Sequence, residues 1–447
     1  MPASGNSTRN LFKNASWLFS GSMAASLFSA AEPILIARFL GVEQLGLFTL
    51  IIAYVGIING LIDLRSPDAV VKYVGQYREL GEKNKVLSFI KFFYVLDFLV
   101  GIAALGVCLI LAGVADDLFI HSENTFKFTL IYSASILVSS VNKSSEAVLR
   151  VFDRFKTIAF VRTSRTGLRV VLIAVSLLAG FGIEGVFVCY VVAAFVFFLM
   201  LQIEVLRVLR QSGLKRWTTA KVKNLEVTFE EVRSFVLVST FTGFLSNAFS
   251  RQIPVLILGY FTAKEAVGLY RVAIIFSGVS VKLRKPVQDT IYPALVAAQS
   301  RGSKEVFSDI VSYSTKNLLK VFLPVGLIFF LFANKIIIIF FGSAYEPATL
   351  AMQLIVISEI LFALCFWIDS AELAHNRLRQ RVIRVALSSM SYVAVLLVLV
   401  QAYSYNGAAA SRLVPAILIF VFSLFTFNKI RYRTNHSILQ KPQDPMK

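Results

Sequence analysis

The chain has 447 residues, of which 57% are hydrophobic and only 16% are charged. A water-soluble domain is usually about 45–50% apolar and about 25% charged, so this composition excludes an ordinary soluble globular protein. The net charge of +19 would be typical of a nucleic-acid partner, but in so apolar a chain it indicates basic loops on the cytoplasmic side of a membrane.

Twelve apolar stretches follow one another along the chain. A helix that crosses a bilayer needs about 20 mostly apolar residues. In chain order the stretches are 15–40, 45–64, 87–113, 126–149, 164–181, 185–206, 234–260, 266–294, 317–341, 348–369, 383–402 and 406–428. The gaps between them are too short for a folded domain. The sequence therefore predicts an all-α polytopic membrane protein with twelve transmembrane helices.

The charges of the loops predict the orientation. The loops after the second, fourth, sixth, eighth and tenth stretches are rich in Lys and Arg, and the loops between them are nearly bare of Lys and Arg. Basic loops stay in the cytoplasm, so both termini are predicted to be cytoplasmic. The three cysteines lie in apolar runs without CxxC spacing, and neither a disulfide framework nor a metal site is predicted.

The chain also repeats itself. Residues 37–48 align with residues 259–270 at an offset of 222, which places Gly46 on Gly268. An even number of predicted helices separates the copies, so the repeat is parallel, about a pseudo-twofold axis along the membrane normal. The sequence predicts two six-helix lobes, the first at residues 14–207 and the second at residues 234–428. A cytoplasmic linker joins them at 208–233. A cytoplasmic N-terminal segment covers residues 1–13, and a cytoplasmic basic tail covers residues 429–447.

Short motifs in both copies carry a family resemblance. The sequences ARFLG at 37–41 and QLGLF at 44–48, with VGLY at 267–270 and IYPAL at 291–295, resemble the oligosaccharide flippases. These form the polysaccharide-transporter branch of the multidrug/oligosaccharidyl-lipid/polysaccharide exporter (MOP) superfamily. One departure is Arg251, which stands where the family often has an acidic residue before the seventh helix, so no coupling carboxylate is expected there.

The resemblance implies a function. Members move undecaprenyl-diphosphate-linked oligosaccharide units to the outer leaflet of the bacterial inner membrane, for O-antigen or exopolysaccharide assembly. They work by alternating access around a basic central cavity, alongside other polysaccharide assembly proteins. An H+ or Na+ gradient supplies the energy. The protein is expected to be neither an enzyme nor a cofactor protein, and the chain has no phosphate-binding GxxxxGK[ST] loop.

Basic residues at membrane depth are candidates for substrate binding, because ionisable groups there usually mark a cavity or a pathway. Arginine offers a planar fork and lysine a point charge to a diphosphate. The alternative interpretation is that these residues mark the cytoplasmic boundary of the membrane. The predicted substrate-binding residues are Arg65, Arg251, Arg271, Lys282, Arg284 and Lys285.

A second set of charged residues is predicted to act in gating or coupling. Glu32 and Arg251 lie at similar depths in the first and seventh predicted helices, and a pair between them would open when an anionic substrate competes for the arginine. The alternative is a purely structural pair or an arginine that reaches the membrane surface. The predicted gating or coupling residues are Glu32, Arg38, Asp63, Asp97 and Asp369.

Arg162, Arg165 and Arg169 share one helical face at the start of the fifth helix. This face is predicted to contact anionic lipid, with substrate guidance as the alternative.

Two other functions are alternatives to this one. A cation-coupled drug exporter of the same superfamily needs a cavity rich in carboxylates, which the basic eighth helix argues against. A membrane polysaccharide polymerase commonly needs a large extracytoplasmic loop, and the predicted external loops are short.

Overall fold

The computed structural model describes residues 4–62, 66–214, 252–375 and 377–432, and every regular element within these ranges is a helix. The chain divides into two compact units, Met1–Gly268 and Leu269–Lys447. The predicted segments 1–13, 208–233 and 429–447 lie wholly or partly outside the described residues, so the lobe and linker boundaries stay predictions.

Unit 1 is a bundle of long helices. In chain order they are α1 (Ser4–Ile62), α2 (Ser66–Glu79), α3 (Lys83–Ile110), α4 (Ala112–Ala115), α5 (Thr125–Val151), α6 (Phe155–Leu178), α7 (Gly182–Gln211), α8 (Ile253–Phe261) and α9 (Lys264–Ala273), whose end crosses into unit 2. A π-helical turn, Asp116–Ile120, follows α4. The main packing partners are α1 with α6, and α5 with α3 and α7.

The first two predicted stretches are continuous except for one break at Gly41. Its backbone has φ +80° and ψ −177°, which interrupts the helical hydrogen-bond ladder of α1. Positive φ of this kind is freely accessible to glycine alone. The break coincides with the turn that the sequence places between residues 40 and 45.

Helix α2 replaces part of a predicted cytoplasmic loop. Lys72 and Arg78 fall between the second and third predicted stretches, and both lie on this helix. The helix forms because apolar residues recur on one of its faces, where Tyr73 and Tyr77 stack on Phe89 of α3. These rings are buried in the core of unit 1, against α3, α5 and α7.

The first copy of the sequence repeat meets the unit 1 part of the second copy, residues 259–268. A Cβ atom on Gly46 would lie 1.8 Å from the carbonyl oxygen of Lys264, and one on Gly268 would lie 2.2 Å from that of Val42. The offset of 222 maps Val42 onto Lys264 and Gly46 onto Gly268, so the two contacts are reciprocal. Only glycine permits such close approach of two backbones.

Unit 2 is also wholly helical in its described part. Its helices after α9 are α10 (Ile275–Ser300), α11 (Lys304–Leu331), α12 (Ala333–Phe341), α13 (Thr349–Leu364), α14 (Ile368–Ala374), α15 (Leu378–Ser411) and α16 (Leu413–Tyr432), with a 3-10 turn, Ser343–Ala348, before α13. Within α15, Ser404 has φ +51° and ψ −133°, which breaks the helix between the last two predicted stretches.

Seven helical segments in the described ranges are long and apolar enough to cross a membrane. Two of them, Phe28–Ile62 and Arg379–Phe427, each overlap two predicted stretches. Helices α5 and α6 are not among the seven, because serines and charged residues reduce their apolar character. The protein is a multi-pass membrane protein, and the count of twelve stays a prediction.

Candidate functional site

A cavity of about 500 Å³ lies inside unit 1, between α1, α5, α6 and α7. Ligand sites in proteins are usually clefts of about 300–1,000 Å³. Ala25 of α1 and Phe197 of α7 form the less polar parts of its wall.

Two helices supply the polar wall through the same spacing. Residues at i, i+3, i+4 and i+7 lie on one face of an α-helix. On α5 this face consists of Ser139, Asn142, Lys143 and Glu146, and on α6 it consists of Arg162, Arg165, Thr166 and Arg169. The face of α6 that was predicted to contact lipid, with substrate guidance as the alternative, is therefore a cavity wall.

Arg169 is held by the buried carboxylate of Glu32 on α1. Its Nε donates a hydrogen bond of 2.7 Å to Glu32 Oε1, and its Nη2 donates to the same oxygen. The hydroxyl of Tyr190 donates to Glu32 Oε2 at 2.8 Å, and its ring lies 4.4 Å from the Arg169 guanidinium. Glu32 therefore has a partner on α6, while its predicted partner Arg251 lies outside the described residues.

Arg162 is held in a similar way by Glu146 of α5. Its Nε donates to Glu146 Oε1 at 2.8 Å, and its Nη2 donates to the other carboxylate oxygen. This fork arrangement satisfies both oxygens and fixes the guanidinium at the cavity edge.

Arg165 lies between these two ion pairs, and it contacts no carboxylate within salt-bridge distance among the described residues. Its Nη2 is 3.5 Å from Ser139 Oγ, and its guanidinium lies 4.8 Å from the centre of the Phe197 ring. Its Nε is buried and has no hydrogen-bond partner among the described side chains and backbone.

Asn142 faces the same cavity with an unsatisfied amide. The residue is 3% exposed, and neither Oδ1 nor Nδ2 has a hydrogen-bond partner in the described part of the chain. Buried polar groups are almost always paired, so this amide in the cavity wall is free to bind water or a polar ligand.

The charge balance of the cavity favours anions. Four cationic side chains line it, namely Lys143, Arg162, Arg165 and Arg169, against the single carboxylate of Glu146. Glu32 adds one more negative charge behind Arg169. The excess of positive charge remains after both ion pairs are counted.

In unit 2 a buried carboxylate organises a second cluster. Glu359 of α13 accepts hydrogen bonds from Ser277 and Ser280 of α10, each at 2.6 Å. Arg284 Nη2 lies 3.1 Å from Glu359 Oε2, and Arg412 Nη2 lies 2.8 Å from Oε1. Arg284 was among the predicted substrate-binding residues. Glu359 and Arg412 were not predicted, although each is a charge within an apolar stretch.

Asp369 belongs to another ion-pair cluster of unit 2. Arg384 Nη2 lies 2.5 Å from Asp369 Oδ1 and 2.8 Å from Glu372 Oε2. The offset of 222 maps Arg162 onto Arg384. In each unit, this arginine is therefore bound by acidic residues from the helix that precedes it.

The other predicted site residues are dispersed. Arg271 and Lys282 are half-buried, while Arg38 and Lys285 are exposed. Asp97 is buried and accepts a hydrogen bond of 2.5 Å from Ser144 Oγ. Arg65, Asp63 and Arg251 lie outside the described residues.

Solved structures of transporters share this architecture. The solved structure of the lipid II flippase MurJ in an inward closed conformation matches with a TM-score of 0.71, at 14% identity, over 96% of this chain and 94% of that one. An inward-facing multidrug resistance MATE family transporter of the MOP superfamily matches with a TM-score of 0.68, at 14% identity, over 91% of this chain and 95% of that one.

A further structure, a MOP superfamily transporter from Pyrococcus furiosus, matches with a TM-score of 0.64, at 14% identity, over 97% of this chain and 96% of that one. Its binding pocket is described as having reverse polarity. At this level of identity the matches show a shared fold. No curated protein matches the sequence significantly.

The family model described as polysaccharide biosynthesis protein matches residues 11–299, which is more than half of the chain. The all-helical fold and the MOP transporter structures agree with this match. The chain belongs to the polysaccharide biosynthesis protein family and has the fold of the MOP superfamily transporters.

Proposed function

We propose that the protein flips lipid-diphosphate-linked oligosaccharide units from the cytoplasmic to the outer leaflet of the bacterial inner membrane, by alternating access. The observation that carries the proposal is the cavity of unit 1, lined by four cationic side chains, in a member of the polysaccharide biosynthesis family. A diphosphate-linked cargo is anionic, and guanidinium and ammonium groups are the side chains that bind such groups best.

The fold supports a lipid-linked cargo. One of the structures that it matches is named a lipid II flippase. The match to a MATE transporter leaves a drug exporter as the competing function. A cavity with excess positive charge would repel cationic drugs, so the charge balance favours the flippase.

The remaining predicted residues enter the proposal with separate roles. Lys282 and Lys285 of α10, with Arg271, are proposed to contact the cargo in unit 2. Arg65 and Arg251, which belong to unit 1, are proposed to contact it as well. Arg284 would act together with Glu359, because the two already form an ion pair.

Roles in gating or coupling, with H+ or Na+ as the driving ion, are proposed for Arg38 and for the acidic residues Glu32, Asp63, Asp97 and Asp369. Glu32 is the best placed of these, since its carboxylate holds an arginine of the cavity wall.

Flipping by purified protein in liposomes tests the proposal. The probe is a polyprenyl-diphosphate-linked oligosaccharide with a fluorophore on the sugar, and dithionite added outside bleaches only the outer leaflet. With the protein, we expect bleaching to proceed beyond the outer-leaflet fraction seen in empty liposomes. Bleaching equal to that of empty liposomes, together with transport of a cationic dye, would favour the exporter instead.

A further inference from the structure

The three cavity arginines of α6 differ in what neutralises them. Arg162 is bound by Glu146 and Arg169 by Glu32. Arg165, one turn from each, has no carboxylate within salt-bridge distance among the described residues. Three guanidinium groups on one helical face therefore have two carboxylate partners between them. The central group, that of Arg165, has no carboxylate partner among the described residues.

Such a guanidinium is costly to bury. A charge removed from water is stable only when it is paired and hydrogen-bonded. The Phe197 ring at 4.8 Å offsets part of this cost through a cation–π contact. It does not satisfy the N–H groups, of which Nε has no partner in the described structure.

Asn142 adds a neutral donor and acceptor to the same wall. Its amide is buried with both polar atoms unpartnered among the described residues. Because it lines the cavity together with Arg165, one ligand can reach both side chains. An amide of this kind can donate to an oxyanion or pair with a hydroxyl group.

We propose that Arg165 and Asn142 form a subsite within unit 1 that binds an oxyanion of the cargo beside a hydroxyl group. This deepens the proposed function and rests on it for the identity of the cargo. The oxyanion is either a phosphate of the lipid diphosphate or a carboxylate of an acidic sugar. A neutral sugar would leave the charge of Arg165 unpaired, and a cation would meet four positive side chains.

Equilibrium binding to the purified full-length protein in detergent tests the subsite. The two probes are inorganic pyrophosphate, which represents the lipid diphosphate, and glucuronate, which represents an acidic sugar, both measured by calorimetry. Arg165→Gln removes the charge and keeps hydrogen-bonding capacity. A hydrogen bond to a charged group contributes enough that its loss should weaken binding by about 10- to 100-fold.

Two further variants separate binding from folding. Arg210→Gln is the matched control, since Arg210 is exposed at the end of α7, outside the cavity wall. Asn142→Asp keeps the shape of the side chain but adds a negative charge. It should abolish probe binding and raise the melting temperature without ligand, because the new carboxylate would offset the charge of Arg165.

The outcomes are distinct. Binding of pyrophosphate alone assigns the oxyanion to the lipid diphosphate, and binding of glucuronate alone assigns it to an acidic sugar. Equal affinity in wild type and Arg165→Gln, or the absence of binding for both probes, would overturn the subsite. If the probe binds through Arg165 but the liposomes show no flipping, the subsite stands and the proposed function fails.

Discussion

The ion pair between Glu32 and Arg169 offers a quantitative test of the cavity's architecture. Glu32→Gln removes the negative charge but keeps an oxygen that can still accept from Tyr190. Arg169 then remains largely buried, with its side chain 15% exposed, and loses its carboxylate. The substitution therefore isolates the charge pairing between α1 and α6.

The expected cost is large. Removing one partner of a buried ion pair destabilises a protein by about 3–5 kcal/mol, because the remaining charge is left uncompensated. The double variant with Arg169→Gln removes both charges and should recover much of that loss. The exposed pair of Lys127 and Glu184, with side chains 51% and 48% exposed, provides the control. Loss of an exposed pair costs about 0.2–1 kcal/mol, so Glu184→Gln should have little effect.

The assay is equilibrium unfolding in mixed detergent micelles, followed by tryptophan fluorescence. Glu32→Gln should lower the free energy of unfolding several times more than Glu184→Gln does. Equal effects of the two single variants would refute the buried pair. A double variant as unstable as the sum of its single variants would show that the two side chains do not interact.

Three further predictions follow from other parts of the molecule. Gly46→Ala should lower the melting temperature, since its Cβ would meet a carbonyl oxygen at 1.8 Å. The control Gly75→Ala, whose Cβ would have nothing within 4 Å, should leave the melting temperature unchanged or raise it. Equal effects of the two substitutions would contradict the close contact at Gly46. Lys285→Ala should slow flipping without changing the melting temperature, because the residue is exposed, and unaltered flipping would remove it from the site. Leu118→Cys and Ser343→Cys should react with an impermeant thiol reagent added outside intact cells, against the low background of three buried native cysteines; labelling only in opened cells would contradict the predicted topology.

Much of the fold follows from local sequence properties. Apolar runs predict the approximate positions of the long helices in the described ranges, and the breaks at Gly41 and Ser404 fall between predicted stretches. Helix α2 was missed because its apolar residues are spaced at helical intervals among charged ones. Burial of Tyr73 and Tyr77 against Phe89 stabilises it, and that contact depends on the tertiary structure.

The candidate site was predictable only in part. Helical spacing places Arg162, Arg165 and Arg169 on one face, but it cannot tell whether that face meets lipid or another helix. The tertiary structure answers this, because the polar face of α5 and the arginine face of α6 line the same cavity. The pairing of Glu32 with Arg169 likewise joins residues 137 positions apart, which no local pattern indicates.

The rate of flipping by wild type and Arg165→Gln tests the central claim most directly. Both proteins, with Arg210→Gln as control, would be reconstituted at equal amounts and assayed with the fluorescent polyprenyl-diphosphate-linked oligosaccharide. We predict flipping by wild type and Arg210→Gln, and a rate at least about tenfold lower for Arg165→Gln, as loss of a charged hydrogen bond implies. Equal rates for Arg165→Gln and wild type would contradict the claim that this cavity handles the anionic cargo.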